Sequence, residues 1–215
     1  MKVQIWADVI CPWCGIGRHR LKAALERFEH ADEVEVVHRS FQLDPGAPVG
    51  VSRPVAEMLT AKYGMDPAQV AAMNARVEEL AHAEGLKPYI VADNVVGGTA
   101  LAHEFLAHAT AHGLHTRAWD HVFSAYWGEA RPVFTVDALV SLGEEIGLDP
   151  AGTREALTDR RHRSQVEQEQ AEARALGATG VPFTVVGDRY GLAGAQDPDT
   201  VLDVLRRAWN GAHQA

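Results

Sequence analysis

The sequence predicts an α/β domain assembled from both ends of the chain, with a large all-helical block inserted in its middle. Three observations predict it. Residues 1–46 read strand, helix, strand; residues 177–215 read strand, strand, helix; and 47–176 carry helical periodicity broken by Gly and Pro. The N-terminal strands need further strands to complete a sheet, and the C-terminal hairpin can supply them.

The elements follow in order. Lys2 to Ala7 alternates around Val3, Ile5 and Trp6, which is strand patterning. Pro12 to His30 reads as a helix, because Leu21, Ala24, Leu25 and Phe28 recur at steps of three and four, and Pro12 suits its first turn. Glu33 to Leu43 returns to strand character through Val34, Val36, Val37 and Phe41, and Asp44-Pro45-Gly46 closes it as a turn. In the middle block Asp66-Pro67 and Asp149-Pro150 pair an N-cap with Pro at the first helical position. Helices are expected over 70–84, 99–112, 115–127 and 136–146, with a last one over 165–176. Gly85, Gly113, Gly147 and Gly177 stand where helix ends need positive φ. About seven helices result. Phe183 to Val186 and Arg189 to Leu192 flank a Gly187-Asp188 hairpin turn, and Asp197-Pro198 opens a final helix through Trp209.

Composition narrows the function. The chain has 215 residues, more than one typical domain and less than two large ones. A hydrophobic fraction of 47% supports a core without disulfide staples. The formal charge of -9 opposes phosphate backbones, so nucleic acid is not expected as a partner. The one basic run, Arg160-Arg161-His162-Arg163, reads as a solvated helix start. The apolar run after Lys2 is too short for a secretory signal, and no stretch approaches the about 20 apolar residues that cross a bilayer. A soluble cytoplasmic protein is expected, in a compartment that disfavours permanent disulfides.

Cys11 and Cys14 are the only two cysteines. A Cys-x-x-Cys pair where a strand meets a helix reads as a thioredoxin-like redox motif. Cys11 would stand at the helix N-terminus, where unpaired N–H groups and the positive dipole end favour a thiolate, the attacking species in disulfide exchange. Cys14, one turn on, would resolve the mixed disulfide. Pro12 fixes φ and removes a donor near the sulfur. Trp13 is either a flat apolar surface beside the site or an ordinary helix-start aromatic. Asp8, three residues before Cys11, is a candidate proton acceptor for Cys14, although a solvated Asp is the commoner arrangement. A structural zinc site usually takes four Cys or His ligands, which two cysteines do not supply, and no metal is expected. The histidines receive no role.

The other informative stretch is Gly180-Val181-Pro182, directly before an apolar strand. Proline is tolerated at a strand's first position. Taken alone, the tripeptide reads as a trans Pro ending a loop.

Together, Cys11-Pro12-Trp13-Cys14, the helical block and Gly180-Val181-Pro182 resemble the DsbA-like family of thioredoxin-fold oxidoreductases, and within it the cytosolic FrnE-type branch. Asp8-Val9-Ile10, Phe41-Gln42-Leu43-Asp44-Pro45, Leu101-Ala102-His103, Ala125-Tyr126-Trp127 and Gly194-Ala195-Gln196 add to the resemblance, which covers nearly the whole chain. One departure is Gly98-Thr99, where the branch often has Asn-Thr. The resemblance implies a thioredoxin-like domain of 1–46 and 177–215 and an inserted helical domain of 47–176. It also implies a cis peptide before Pro182 facing the cysteines. The Val181 backbone would then pair with an extended substrate like an added strand, beside Trp13 and Pro182.

Three functions follow. The first is a thiol–disulfide oxidoreductase acting on peptide or small-molecule thiols and disulfides, with no organic cofactor and glutathione as a candidate co-substrate. A cytosolic setting favours reduction or isomerisation. The second is a glutathione-dependent isomerase or transferase of the 2-hydroxychromene-2-carboxylate isomerase or kappa-class type, including a tailoring role in secondary metabolism. Those relatives typically have Ser at the first motif position. The third is a binding module with a vestigial redox pair. The sequence leaves the oligomeric state open.

Overall fold

A computed structural model describes residues 1–213. Lys2–Ala7 forms β1, and Glu35–Ser40 forms β2 parallel to it, with Val3 opposite Val36 and Ile5 opposite His38. Pro12–Leu25, α1, makes the crossover. The helix stops five residues short of the expected His30. Arg27 N–H donates to Ala24 O and Phe28 N–H to Leu25 O, so three-residue spacing tightens the exit. Phe28 stays buried in the core from this turn, which is why the apolar period outlasts the helix. A single 3₁₀ turn, Ala31–Glu33, leads into β2.

The chain divides into two compact units, Met1–Leu43 with the residues from Glu167 onward, and Asp44–Val166. In the second unit, helices Val55–Tyr63 (α2) and Pro67–Ala83 (α3) follow a short strand, Ser52–Pro54 (β3). A second strand, Val95–Gly97 (β4), precedes Ala100–Ala111 (α4) and His115–Phe123 (α5). A π turn over Ser124–Gly128 is followed by Val136–Glu145 (α6) and Pro150–Thr158 (α7). The block is therefore helical apart from one antiparallel pair, β3 with β4. Three residues per strand are too few to show a period of two. Gly97 permits the approach, because a Cβ there would lie 2.2 Å from Val51 O. The expected caps form locally: Asp66 makes a capping box with Gln69, and Asp149 accepts from Gly152 N–H at 2.7 Å.

The basic run stands at a helix start as expected, with Arg161 and Arg163 exposed, but Arg160 departs from the solvated form. Arg160 adopts φ 55° and directs Nε and Nη2 to Oε1 of the buried Glu104, at 2.8 and 2.6 Å. The attraction of a buried carboxylate for a forked guanidinium draws the side chain inward.

Arg163–Ala175, α8, begins in the second unit and ends in the first. The expected boundaries lay at 46/47 and 176/177; the compact units divide at 43/44 and 166/167. Glu169 accounts for the larger displacement. Its carbonyl accepts from Trp6 Nε1 at 2.8 Å, its Oε2 from Ser40 N–H at 2.7 Å and its Oε1 from Arg39 Nη1 at 3.2 Å. These bonds tie the middle of α8 to β1 and β2.

Phe183–Val186 (β5) pairs antiparallel with β1, and Tyr190–Ala193 (β6) pairs antiparallel with β5. The sheet order is β2-β1-β5-β6. Gly187 and Asp188 take φ of 59° and 55°, the two positive values that a two-residue hairpin with the sheet's twist requires. Pro198–His213, α9, follows. Both sheet faces are covered. Val3, Ile5 and Val186 pack with Leu21, Ala24 and Phe28 and with Leu202 and Leu205 of α9. On the other face Trp6, Phe183 and Val185 pack with Phe41, Ala173 and Ala178.

Glu169→Ala removes the partner of a buried backbone N–H. It is expected to lower the stability of the protein by about 1–3 kcal/mol, read as a lower midpoint in urea unfolding. An unchanged midpoint would contradict this role.

Candidate active site

The site grows from the turn between β1 and α1. Cys11 N–H donates back to Asp8 O at 3.1 Å, and Cys14 N–H to Cys11 O at 2.9 Å. Cys11 is the N-cap of α1, with extended backbone, and Pro12 fills the first helical position. Proline's missing N–H costs nothing there. Both cysteines are free thiols and both are buried, at 4% and 2% exposure. Trp13, between them in sequence, is 43% exposed.

The opposite wall comes from the approach to β5. The Val181–Pro182 peptide is cis, and Cys11 Sγ lies 3.4 Å from Val181 O. Val181 packs on the Trp6 and Phe41 cluster, while Pro182 is buried. Pro182 O accepts from Gly194 N–H at 2.8 Å, which ties this wall to the turn after β6. The geometry thus brings Cys11, Cys14, Asp8, Val181 and Pro182 together, with Trp13 at the exposed rim.

Asp8 departs from the commoner solvated arrangement. It is fully buried, and its Oδ2 accepts from Leu43 N–H at 2.7 Å. Leu43 has left the β2 ladder, so its amide needs another acceptor and the Asp8 carboxylate provides one.

Burial pushes the Cys14 thiol well above the usual cysteine range. Its hydrogen bond and charge interaction with Cys11 act in the same direction, and the Asp8 backbone hydrogen bond opposes them. Cys14 is therefore held protonated at neutral pH.

Two contributors were not read from the sequence. Gly17 lies against the Pro182 wall: a Cβ there would come within 3.0 Å of Pro182 Cγ and 3.4 Å of Ala195 Cβ. A glycine inside a helix, where it is disfavoured, was the available signal. Gly194, the donor to Pro182 O, belonged to a stretch noted only for its resemblance. Among the described residues, no group of three or more His, Cys, Asp or Glu side chains is arranged to hold a metal. No helix among them is long and apolar enough to cross a membrane.

Comparison with known proteins adds a family. The model of the DSBA-like thioredoxin domain matches residues 2–206. The chain is similar to the crystal structure of a probable DsbA oxidoreductase, SCO1869 of Streptomyces coelicolor. That match has 41% identity over 98% of this chain and 90% of that one, at a TM-score of 0.93. It is 28% identical to the uncharacterized protein YwbO of Bacillus subtilis (strain 168), covering 86% of each. A 2-hydroxychromene-2-carboxylate isomerase shares the fold at a TM-score of 0.73 and 14% identity, over 100% of this chain and 98% of that one.

A thiol with a raised pKa has less thiolate at pH 8 than a free cysteine. Brief iodoacetamide treatment of the reduced protein at pH 8 is expected to label Cys11 before Cys14, as located by peptide mass spectrometry. Label arriving first on Cys14 would contradict the assigned order.

Proposed function

The chain belongs to the DSBA-like thioredoxin domain family, and on that premise we propose that it is a thiol–disulfide oxidoreductase in which Cys11 is the nucleophile and Cys14 the resolving thiol. One observation carries the reading: Cys11 Sγ, at a helix N-terminus, lies 3.4 Å from the Val181 carbonyl oxygen, with the buried Cys14 thiol in hydrogen-bond contact with Cys11.

The chemistry follows from that arrangement. The Cys11 thiolate attacks one sulfur of a substrate disulfide. An S–S bond breaks, a mixed disulfide forms, and the other substrate sulfur leaves as a thiolate that takes a proton from solvent. Cys14 then loses its proton and attacks the Cys11 sulfur. The Cys11–Cys14 disulfide forms and the second substrate thiol departs. The substrate gains two electrons and the protein loses two. Two molecules of a thiol such as glutathione, as co-substrate, return the pair to the reduced form through a second mixed disulfide and leave joined as their own disulfide; no organic cofactor takes part.

Positions assign the remaining roles. Asp8, buried and in the electrostatic reach of Cys14, is the acceptor for the Cys14 proton. The helix N-terminus favours negative charge on Cys11. Val181 offers its backbone to an extended substrate, Pro182 presents no donor to the sulfur, and Trp13 lays an apolar ring at the rim. Pro12 shapes the motif. Substrates are peptides or small-molecule thiols and disulfides rather than nucleic acid or membrane. The setting is the cytoplasm, and the branch is the FrnE type. The isomerase and transferase reading is the weaker one here, because Cys stands at the first motif position where those relatives typically carry Ser.

The test is disulfide turnover on a model protein by the wild type and two variants. Cys11→Ser is expected to lose turnover by about two orders of magnitude or more. Cys14→Ser is expected to accumulate mixed disulfides visible on non-reducing gels. Turnover that survives Cys11→Ser would overturn the proposal. Glutathione-dependent isomerase turnover without disulfide exchange would favour the second reading.

A further inference from the structure

Gly17 lies one turn beyond Cys14 on α1, and it has a neighbour that a side chain would disturb. A Cβ at this position would stand 3.0 Å from Pro182 Cγ, 3.4 Å from Ala195 Cβ and 3.5 Å from Ala195 Cα. Contacts of 3.0–3.4 Å are tighter than ordinary packing, so the neighbour has to give. The same face of α1 holds this wall at a second point: Arg20 Nη1 donates to Ala195 O at 2.6 Å. Pro182 and the turn after β6 are themselves joined, through Gly194 N–H to Pro182 O. The wall that carries Val181 is therefore seated on α1 by a gap at Gly17 and a hydrogen bond at Arg20.

We infer that Gly17 is a positioning residue for the reaction: by its missing side chain it sets how closely the Val181–Pro182 wall approaches the helix that carries Cys11. This rests on the thiol–disulfide reading above. Glycine weakens a helix interior, and nothing in the local conformation asks for it, since Gly17 is not among the positive-φ glycines. The close approach is the reason for it. A substrate chain docked on Val181 presents its disulfide to Cys11, so displacing Val181 moves the disulfide from the sulfur that attacks it. Such errors are amplified in a bimolecular exchange that depends on alignment. The wall has room to yield without unfolding, because Gly17, Leu21, Pro182, Thr184, Leu192 and Gly194 also line a small cavity beside the contact.

The experiment compares wild type with Gly17→Ala on three readouts: steady-state turnover of a peptide disulfide, iodoacetamide labelling of Cys11 at pH 8, and the thermal unfolding transition. The expected result is a kcat/KM lowered about tenfold or more, with the labelling rate within about twofold and a cooperative unfolding transition retained. That combination separates positioning from a purely structural role, which would change labelling or folding as well. A wild-type kcat/KM in the variant would overturn the inference while leaving the oxidoreductase reading intact. Loss of the unfolding transition, or equal losses in kcat/KM and labelling, would also overturn it, by making Gly17 a packing residue. A wild type with no disulfide turnover would remove the oxidoreductase reading and this inference with it.

Discussion

The contact between Cys11 Sγ and Val181 O joins residues 170 positions apart, and the first compact unit is arranged so that it can form. Cys11 is fixed by the end of β1 and the start of α1. Val181 is fixed by the start of β5, which pairs with β1. Because both partners hang from neighbouring strands of one sheet, the register of β1 with β5 sets their separation. Trp6 lies opposite Phe183 in that ladder, so a slip of one residue would turn each inward side chain to the opposite face. The packed faces on both sides of the sheet hold the register against such a slip.

The two sulfurs are chemically unequal because their surroundings are. Cys11 stands at a helix N-terminus, and its Sγ lies 3.4 Å from the Val181 carbonyl oxygen. Cys14 is enclosed, and enclosure holds its proton. Asp8 connects this asymmetry to the frame: the carboxylate that lies near Cys14 also accepts from Leu43 as the chain leaves β2.

What could be read in the sequence was what short-range physics decides. The hairpin at Gly187-Asp188, the caps at Asp66 and Asp149 and the bounds of β1 depend on neighbours within a few residues, and they stand where the sequence puts them. The end of α1 did not, because Phe28 keeps its apolar period after the helix hydrogen bonds have changed to three-residue spacing. The strands β3 and β4 are held by a glycine's close approach to a distant carbonyl, which leaves no periodic trace. In the site, the motif cysteines were legible from spacing. The burial of Asp8 was not, since its partner is 35 positions away, and Gly17 acquires meaning only once Pro182 lies against it. The boundary near residue 166 follows from the long-range bonds of Glu169, which the helical period of α8 does not record.

In the proposed chemistry Cys11 and Cys14 act as one two-electron couple. Its most direct measure is an equilibrium titration of the protein in glutathione buffers of graded ratio, with intact mass and thiol state read at each point. A single transition is expected between the dithiol and an internal Cys11–Cys14 disulfide, two mass units apart, with no persistent glutathione adduct in the wild type. A protein that remains a dithiol across the whole range, or that collects stable adducts on both cysteines, would contradict it.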